Sequence, residues 1–90
     1  ILALLAQNRE KLGQMGVVRI GLFGSFARNT ASPDSDVDLL VELKTPSYAA
    51  MVELYDFLSL LLGAKIDLIR KGPHLKDRFL QALEKELIYA

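Results

Sequence analysis

The sequence predicts an α/β fold of the α+β kind, in which helices pack on a small mixed sheet of three or four strands. Two observations lead to this prediction. Segments with the composition of strands alternate with helical segments along a chain of 90 residues, a length that allows one small core and hence a single domain over residues 1–90. The longest predicted helix connects two strands, which leaves room for a right-handed parallel crossover. The connection between the first two strands is shorter and leaves their relative direction open.

Residues 1–23 are expected to form a helix followed by a strand. The apolar residues of 1–12 have the spacing of an amphipathic packing helix, which Gly13 or Gly16 ends. Residues 17–23 are apolar and rich in β-branched side chains between glycines, which is typical of a mostly buried strand.

A short helix and a second strand are expected next. Ser25 suits the N-cap of a helix, and the turn-forming residues 29–35 keep that helix short. Polar and apolar positions alternate along residues 36–43, as on a strand with two different faces. One face carries Val37, Leu39, Val41 and Leu43, and the other carries Asp36, Asp38, Leu40 and Glu42.

The second half of the chain predicts two helices with a strand between them. A helix opened by residues 45–47 is expected to run to about Leu62 and to end at Gly63. Because this helix is apolar on nearly all sides, we expect it to be buried on more than one side. Residues 65–70 are predicted to form the third strand, and residues 74–88 a final amphipathic helix.

The composition excludes several kinds of site. The 11 basic and 11 acidic residues cancel, so the chain lacks the positive charge of most nucleic-acid-binding domains, and we expect no direct binding of nucleic acid. There is no cysteine, and the single His74 cannot build an imidazole-rich site. A metal ion would therefore have to be held by oxygen ligands.

Signals for membrane insertion or export are not found in the sequence. No apolar run approaches the roughly 20 residues of a membrane span, and the N-terminus does not have the pattern of a signal peptide. We therefore expect a cytoplasmic protein that does not contact a membrane. The sequence begins at Ile1 rather than Met, so we also expect it to lack its first residues.

The clearest chemical pattern is Gly24-Ser25 followed, after ten intervening residues, by Asp36-Val37-Asp38. A glycine-serine turn between a strand and a helix can hold phosphates, because the first N–H groups of a helix are unpaired. The two aspartates lie on one strand face about 6.6 Å apart, and such carboxylates repel each other unless a cation such as Mg²⁺ neutralises them. Each part alone also has a plain structural explanation, namely a turn, a helix cap and exposed acids.

A third candidate is Asp67, which lies between Ile66 and Leu68 in an otherwise apolar strand. A carboxylate buried without a partner in a central strand would cost several kcal/mol, so we expect Asp67 to have a partner or a metal ion. The alternatives are a simple salt bridge or a position at the edge of the sheet.

The combined pattern of Gly24-Ser25, Asp36-x-Asp38 and a later lone aspartate resembles the signature of the polymerase-beta-type nucleotidyltransferases. Residues 24–28 (GSFAR) and 35–39 (SDVDL) are similar to the minimal nucleotidyltransferases, or MNT proteins, of bacteria and archaea. This resemblance covers nearly the whole chain and implies the nucleotidyltransferase catalytic core. Asn29 stands where the family often has glycine, and asparagine tolerates positive φ better than most residues.

The resemblance implies a transfer of nucleotide from ATP that depends on two Mg²⁺ ions. Asp36 and Asp38 would bridge the two ions, and Asp67 would complete the ion that holds the acceptor oxygen and help to deprotonate it. These three aspartates are the candidate catalytic residues and metal ligands.

The resemblance also implies a site for the phosphates of the nucleoside triphosphate. Gly24 and Ser25 would hold the β and γ phosphates, and Arg28 would neutralise charge on the leaving pyrophosphate. The alternative for Arg28 is a solvated surface arginine.

The expected partner is a HEPN-type toxin, because MNT proteins commonly act as antitoxins that adenylylate a tyrosine of such a toxin. A hydrophobic content of 51% also suggests a buried partner surface, with Tyr48, Met51, Tyr55 and Leu58 as candidates for contact with the toxin or with a second copy in a homodimer. Two alternative functions stay open: a catalytically weak antitoxin that acts by binding alone, and nucleotidyl transfer to a small molecule.

Overall fold

Helices and strands alternate along the whole chain, and a computed structural model describes them over residues 1–90. In chain order the elements are α1 (Leu2–Gln7), α2 (Arg9–Gln14), β1 (Val17–Phe23), α3 (Gly24–Ala27), β2 (Val37–Leu43), α4 (Tyr48–Leu62), β3 (Ile66–Arg70), α5 (Asp77–Glu84) and β4 (Ile88–Tyr89). The strands form one sheet in the order β3-β2-β1-β4. The predicted α+β class with a small mixed sheet is confirmed.

The sheet contains one parallel and two antiparallel pairs of strands. β2 and β3 are parallel and are joined through α4, as predicted for a connection that contains a full helix. β1 runs antiparallel to β2, which settles the direction that the sequence left open. β4 pairs with β1, also in the antiparallel direction.

The core lies mainly between the sheet and the helices α1, α2 and α4. Its fully buried members include the alternating residues Val37, Leu39 and Val41 of β2 and the residues Leu54 and Leu58 of α4. This confirms the face of β2 that alternation predicts as apolar. A smaller cluster of Phe23, Leu40 and Leu83 lies on the opposite face of the sheet and holds α5 there.

The caps of α4 are those that the sequence predicts. The Ser47 hydroxyl accepts a hydrogen bond from the Ala50 N–H at 3.0 Å, and Gly63 adopts the left-handed conformation with φ of 59°. The expected burial of α4 on more than one side is wrong, because only Leu54 and Leu58 are buried, whereas Tyr48 is 86% and Leu60 85% exposed.

The N-terminal helix is divided, contrary to the single helix predicted over residues 1–12. It breaks at Asn8, whose side-chain amide donates to the Leu4 carbonyl at 2.9 Å. Such a local bond competes with regular helix geometry, and asparagine is prone to it.

The predicted final helix over residues 74–88 is wrong at both ends. Its helical part is α5, and the chain then leaves the helix to form β4. Residues 88 and 89 pair with Leu22 and Gly21 of β1, and the Ala90 N–H donates to the Ile20 carbonyl. Pairing with an open strand edge satisfies these backbone groups, and a helical pattern in the sequence does not reveal such a partner.

No helix in residues 1–90 combines the length and the apolar character that crossing a lipid bilayer requires.

Candidate active site

The backbone at Gly24 lies directly against an acidic side chain. β1 ends at Phe23, and Gly24 turns the chain into α3 with a φ of +76°. A Cβ atom at position 24 would collide with the carboxylate of Asp38. Gly24 and Asp38, which are fourteen positions apart in the sequence, are thus in contact, and only glycine allows this approach.

Strand pairing brings the acidic residues together. Asp38 lies opposite Phe23 on β1 and opposite Asp67 on β3, so the two aspartates face each other across the parallel pair of strands. Asp36 precedes β2 by one residue. Partial burial, and then the negative charges of Asp67 and Asp36, raise the pKa of the Asp38 carboxyl above its ordinary value. Asp67 and Asp36 are therefore each close enough to Asp38 to repel its carboxylate.

The position of Asp67 differs from the one expected. β3 is an edge strand rather than a central one, and Asp67 is exposed. The prediction that burial would force a partner on this carboxylate is therefore wrong, and the alternative of an edge position is the one observed. What connects Asp67 to the site is its register with Asp38, together with its effect on the pKa of that residue.

The acidic residues fit a hard divalent cation in their chemistry, although they do not form a ready-made cluster. No group of three or more His, Cys, Asp or Glu side chains in the chain is arranged to hold a metal ion. Carboxylate oxygens are nevertheless the ligands that Mg²⁺ prefers, and a bound cation would relieve the repulsion that Asp38 experiences. Asp36, Asp38 and Asp67 are the residues that would hold it.

The short helix α3 presents the predicted phosphate-binding residues. Ser25 is its second residue, and the helix has no side-chain capping bond, so the predicted N-cap role of Ser25 is wrong. The hydroxyl is therefore not used as a cap. After α3 the chain turns through Asn29, whose φ of 59° is the positive value that asparagine tolerates, and Thr30 donates its N–H to the Ser25 carbonyl at 2.8 Å.

Arg28 follows α3 and is not simply solvated. Its guanidinium forms an ion pair with Glu86, with 3.0 Å between Nη1 and Oε2. The same carboxylate accepts the Gly24 N–H through Oε1 at 3.1 Å. The bond from Gly24, and then the one from Arg28, lower the pKa of the Glu86 carboxyl.

Glu86 is a site residue that the sequence does not reveal. It lies 62 residues after Gly24, in the turn between α5 and β4, where the sequence predicts a continuous helix. Only the pairing of β4 with β1 brings this turn to the end of β1, and no local signal in the sequence indicates that pairing.

The concave parts of the surface lie away from the acidic residues. An apolar groove of about 210 Å³ is lined by Met51, Val52, Tyr55 and Leu68, and no pocket is lined by Asp36, Asp38 or Asp67. The three aspartates therefore lie outside the lining of these pockets.

A strand that ends in a Gly-Ser turn beside an acidic strand is the arrangement expected of a nucleotidyltransferase. Comparisons with known proteins identify the same class. The sequence profile of the nucleotidyltransferase domain family matches residues 4–90, and the chain belongs to this family.

Relatives and solved structures place the chain among the minimal members of the family. Protein adenylyltransferase MntA of Thermococcus cleftensis is 39% identical over 87 residues, which make up 96% of this chain and 87% of the relative. A candidate protein adenylyltransferase of Methanocaldococcus jannaschii is 46% identical over 74 residues, or 81% of this chain and 76% of the relative. The resemblance to MNT proteins is thus confirmed, and the chain is a nucleotidyltransferase.

Solved structures with a similar fold include minimal nucleotidyltransferases. The structure of a candidate minimal nucleotidyltransferase matches with a TM-score of 0.79 and 33% identity, covering 97% of this chain and 93% of that one. A chain of a toxin–antitoxin structure with AMP-PNP matches with a TM-score of 0.69 and 24% identity, covering 91% of this chain and 71% of that one. At that identity the second match shows a shared fold.

Proposed function

We propose that this protein is an Mg²⁺-dependent protein adenylyltransferase that moves AMP from ATP to a hydroxyl group of a partner protein. The observation that carries the proposal is the contact between the Gly24 turn and the Asp38 carboxylate, with Asp36 and Asp67 close enough to affect that carboxyl. A phosphate-binding turn and a set of metal-binding carboxylates must adjoin for this reaction, because the metal ions act on the same phosphates that the turn holds.

The residues have distinct roles in the proposed reaction. Gly24 and Ser25 hold the distal phosphates of ATP with backbone N–H groups and the hydroxyl. Asp36, Asp38 and Asp67 would hold two Mg²⁺ ions, which would neutralise charge on the attacking and leaving oxygens. The acceptor oxygen forms a bond to the α phosphorus while the bond from that phosphorus to the bridging oxygen breaks. Pyrophosphate leaves, and the hydroxyl proton passes to a carboxylate, for which Asp67 is the candidate.

Arg28 also belongs to the phosphate site in this proposal. One turn after Ser25, its positive charge lies beside the Gly24 N–H, as their shared contact with Glu86 shows. This position supports the predicted role in neutralising charge on the leaving pyrophosphate.

The acceptor that we propose is a tyrosine of a HEPN-type toxin, with the chain acting as its antitoxin in the cytoplasm, where ATP is available. The similarity to protein adenylyltransferases supports a protein as the acceptor, and the resemblance to MNT proteins, which commonly pair with HEPN toxins, supports the HEPN partner. A macromolecular acceptor is also favoured over a small molecule because small-molecule sites are usually concave, whereas none of the pockets is lined by Asp36, Asp38 or Asp67.

The partner or a second copy would dock through α4. Met51, Val52 and Tyr55 of this helix line the apolar groove together with Leu68, and Tyr48 is exposed close to them in sequence. The fourth predicted contact residue, Leu58, is fully buried in the core, so it is not available to a partner and that prediction is wrong.

Transfer of labelled AMP tests the proposed reaction. The protein is incubated with ATP labelled at the α phosphate, Mg²⁺ and the HEPN-type protein encoded beside it, and Asp36→Asn and Asp38→Asn are compared with Asp56→Asn. Asp56 is an exposed acid on α4 and serves as the matched control. We expect label on the partner with the native protein and with the control only. Equal labelling by the two active-site variants would remove the enzymatic proposal.

A second candidate function is an antitoxin that acts by binding alone, which the exposed apolar groove favours. The double variant Asp36→Asn/Asp38→Asn separates the two candidates. If the double variant still neutralises the toxin in cells, binding is sufficient; if neutralisation is lost while the complex still forms, the transfer reaction is required.

A further inference from the structure

The Glu86 carboxylate is bonded to the Gly24 N–H and to the Arg28 guanidinium. These are groups that bind the phosphates of ATP in the proposed function. Its Oε1 accepts the Gly24 N–H at 3.1 Å, and the Arg28 Nη1 lies 3.3 Å from Oε1 and 3.0 Å from Oε2. A backbone N–H at the start of a helix and an arginine are the donors with which proteins commonly bind phosphate oxygens. The carboxylate of Glu86 thus resembles a phosphate in both its charge and its partners.

We infer that Glu86 is an internal occupant of the triphosphate site, and that the nucleotide must displace its carboxylate in order to bind. The inference rests on the proposed nucleotide site at Gly24 and Arg28. Glu86 would thereby control the affinity for ATP, whereas the aspartates would bind the metal ions.

Competition follows from the number of donors available. The Gly24 amide has one hydrogen, so it cannot donate fully to the carboxylate and to a phosphate at the same time. The ion pair also neutralises Arg28, whose charge would otherwise attract the triphosphate. In addition, Glu86 adds its negative charge to the acidic face, where it raises the pKa of Asp38 as the other acids do.

Glu86 is ionised at neutral pH, since the ordinary pKa of its carboxyl is 4.5 and its bonds to Gly24 and Arg28 lower that pKa further. Displacement by a nucleotide is therefore an exchange of one anion for another and does not require protonation. After displacement, the carboxylate can be solvated at no great cost, since the Glu86 side chain is already 30% exposed.

The segment that carries Glu86 leads into a short, half-exposed edge strand. Glu86 lies between α5 and β4, and β4 consists of two residues, Ile88 and Tyr89, that are 40% and 43% exposed. Short edge strands with little buried surface open at low free-energy cost. A change of the Glu86 rotamer or a shift of this segment would release both donors.

The measurement that tests the inference is the Kd for ATP with Mg²⁺ and without acceptor, by titration calorimetry on the native chain and on Glu86→Gln, Glu86→Ala and Glu84→Gln. Glu84 is exposed at the end of α5 and is not bonded to the Gly24 turn, so its variant loses the same charge without vacating the site. We expect Kd to fall by about three- to tenfold in both Glu86 variants, because the binding-competent fraction rises, and to stay unchanged in Glu84→Gln.

Weaker or unchanged ATP binding in both Glu86 variants, with native-like thermal unfolding, would overturn the inference and make Glu86 a residue that positions the turn. If neither the native chain nor any variant binds ATP, the proposed function fails, and the inference fails with it.

A spectroscopic readout on the native chain avoids dependence on variants. The amide signal of Gly24 and the side-chain carboxyl carbon of Glu86 are followed by NMR during titration with ATP and Mg²⁺. We expect the carboxyl signal to move toward that of a solvated glutamate at saturation. A carboxyl signal that keeps its position while ATP binds would contradict displacement.

Discussion

The carboxylate of Asp38 lies so close to the backbone of Gly24 that no side chain fits at position 24. Gly24→Ala would add both this collision and the strain of a φ of +76°, which alanine rarely adopts. We expect unfolding free energy to fall by about 2 kcal/mol or more and AMP transfer to fall at least about 100-fold, because the turn and the acid would separate.

Gly63→Ala is the matched control for this variant. Gly63 has a φ of 59°, but no atom would contact a Cβ placed there. This variant should lose about 1 kcal/mol of stability from backbone strain alone and should retain full transfer activity. Urea unfolding and the labelling assay measure both quantities, and equal effects of the two alanines would show that the contact with Asp38 is not restrictive.

Removing the charge of Asp38 should stabilise the protein when no divalent cation is present. Its carboxyl has a pKa raised above the ordinary 3.8, so the folded state binds the proton more tightly than the unfolded state does. Stability is therefore lost as the pH rises through this raised pKa. With solvent screening of a partly exposed group, we expect Asp38→Asn to gain roughly 0.5 kcal/mol at neutral pH while abolishing transfer.

Thermal unfolding in a chelator checks this prediction, with Asp56→Asn as the control. Addition of Mg²⁺ should raise the Tm of the native protein and leave that of Asp38→Asn nearly unchanged, because the variant no longer has the repulsion that the cation relieves. A lower Tm of Asp38→Asn in the chelator would contradict the repulsion inferred from the pKa.

The contribution of Glu86 to stability should depend on pH in the opposite direction from that of Asp38. Its carboxyl has a pKa lowered from the ordinary 4.5, so the contribution of its bonds is present above that value and is lost as the pH falls through the lowered pKa. The bond from the Gly24 N–H is the largest single cause and does not depend on Arg28, so Arg28→Ala should return the pKa of Glu86 only part of the way. An NMR titration of the Glu86 carboxyl carbon measures this pKa in the native chain and in the variant, and a full return to the ordinary pKa in Arg28→Ala would contradict the contribution of the Gly24 bond.

The parts of the fold that the sequence predicts are those fixed by nearby residues. Alternation along Val37–Leu43 specifies which face of β2 is buried, and Ser47 and Gly63 mark the ends of α4 through their local capping geometry. The parallel arrangement of β2 and β3 also follows, because a full helix lies between them.

The parts that the sequence does not predict depend on distant pairing. The order of strands in the sheet decides that β3 is an edge, and hence that Asp67 is exposed, and composition carries no signal for this. In the same way, the motif around Gly24 and Asp38 indicates the acidic half of the site, whereas Glu86 reaches the turn only because β4 pairs with β1.

The apolar groove on α4 should be required for binding the partner and not for binding the nucleotide. Val52 lines this groove and is 42% exposed, so a polar replacement there should not disturb the core. Val52→Lys is expected to weaken the complex with the HEPN-type partner at least about tenfold, because it places a charge in an apolar contact. Leu60→Lys is the control, since Leu60 is 85% exposed and does not line the groove. Equal affinity of the two variants, measured by calorimetry, would place the interface elsewhere.

Gly21 provides a way to move Glu86 without changing it. A Cβ atom at this position would lie 2.8 Å from Cδ1 and 2.9 Å from Cγ of Leu87, the residue after Glu86. Gly21→Ala should therefore push Leu87 and β4 away from β1, at a cost of about 1 kcal/mol in unfolding free energy. Because Glu86 moves with Leu87, its bond to the Gly24 N–H should weaken, and ATP should bind more tightly although the protein is less stable. Gly13→Ala is the control, as no atom would contact its Cβ. Urea unfolding and calorimetry with ATP measure the two effects, and a loss of ATP affinity in parallel with the loss of stability would show that the position of this segment does not control access to the turn.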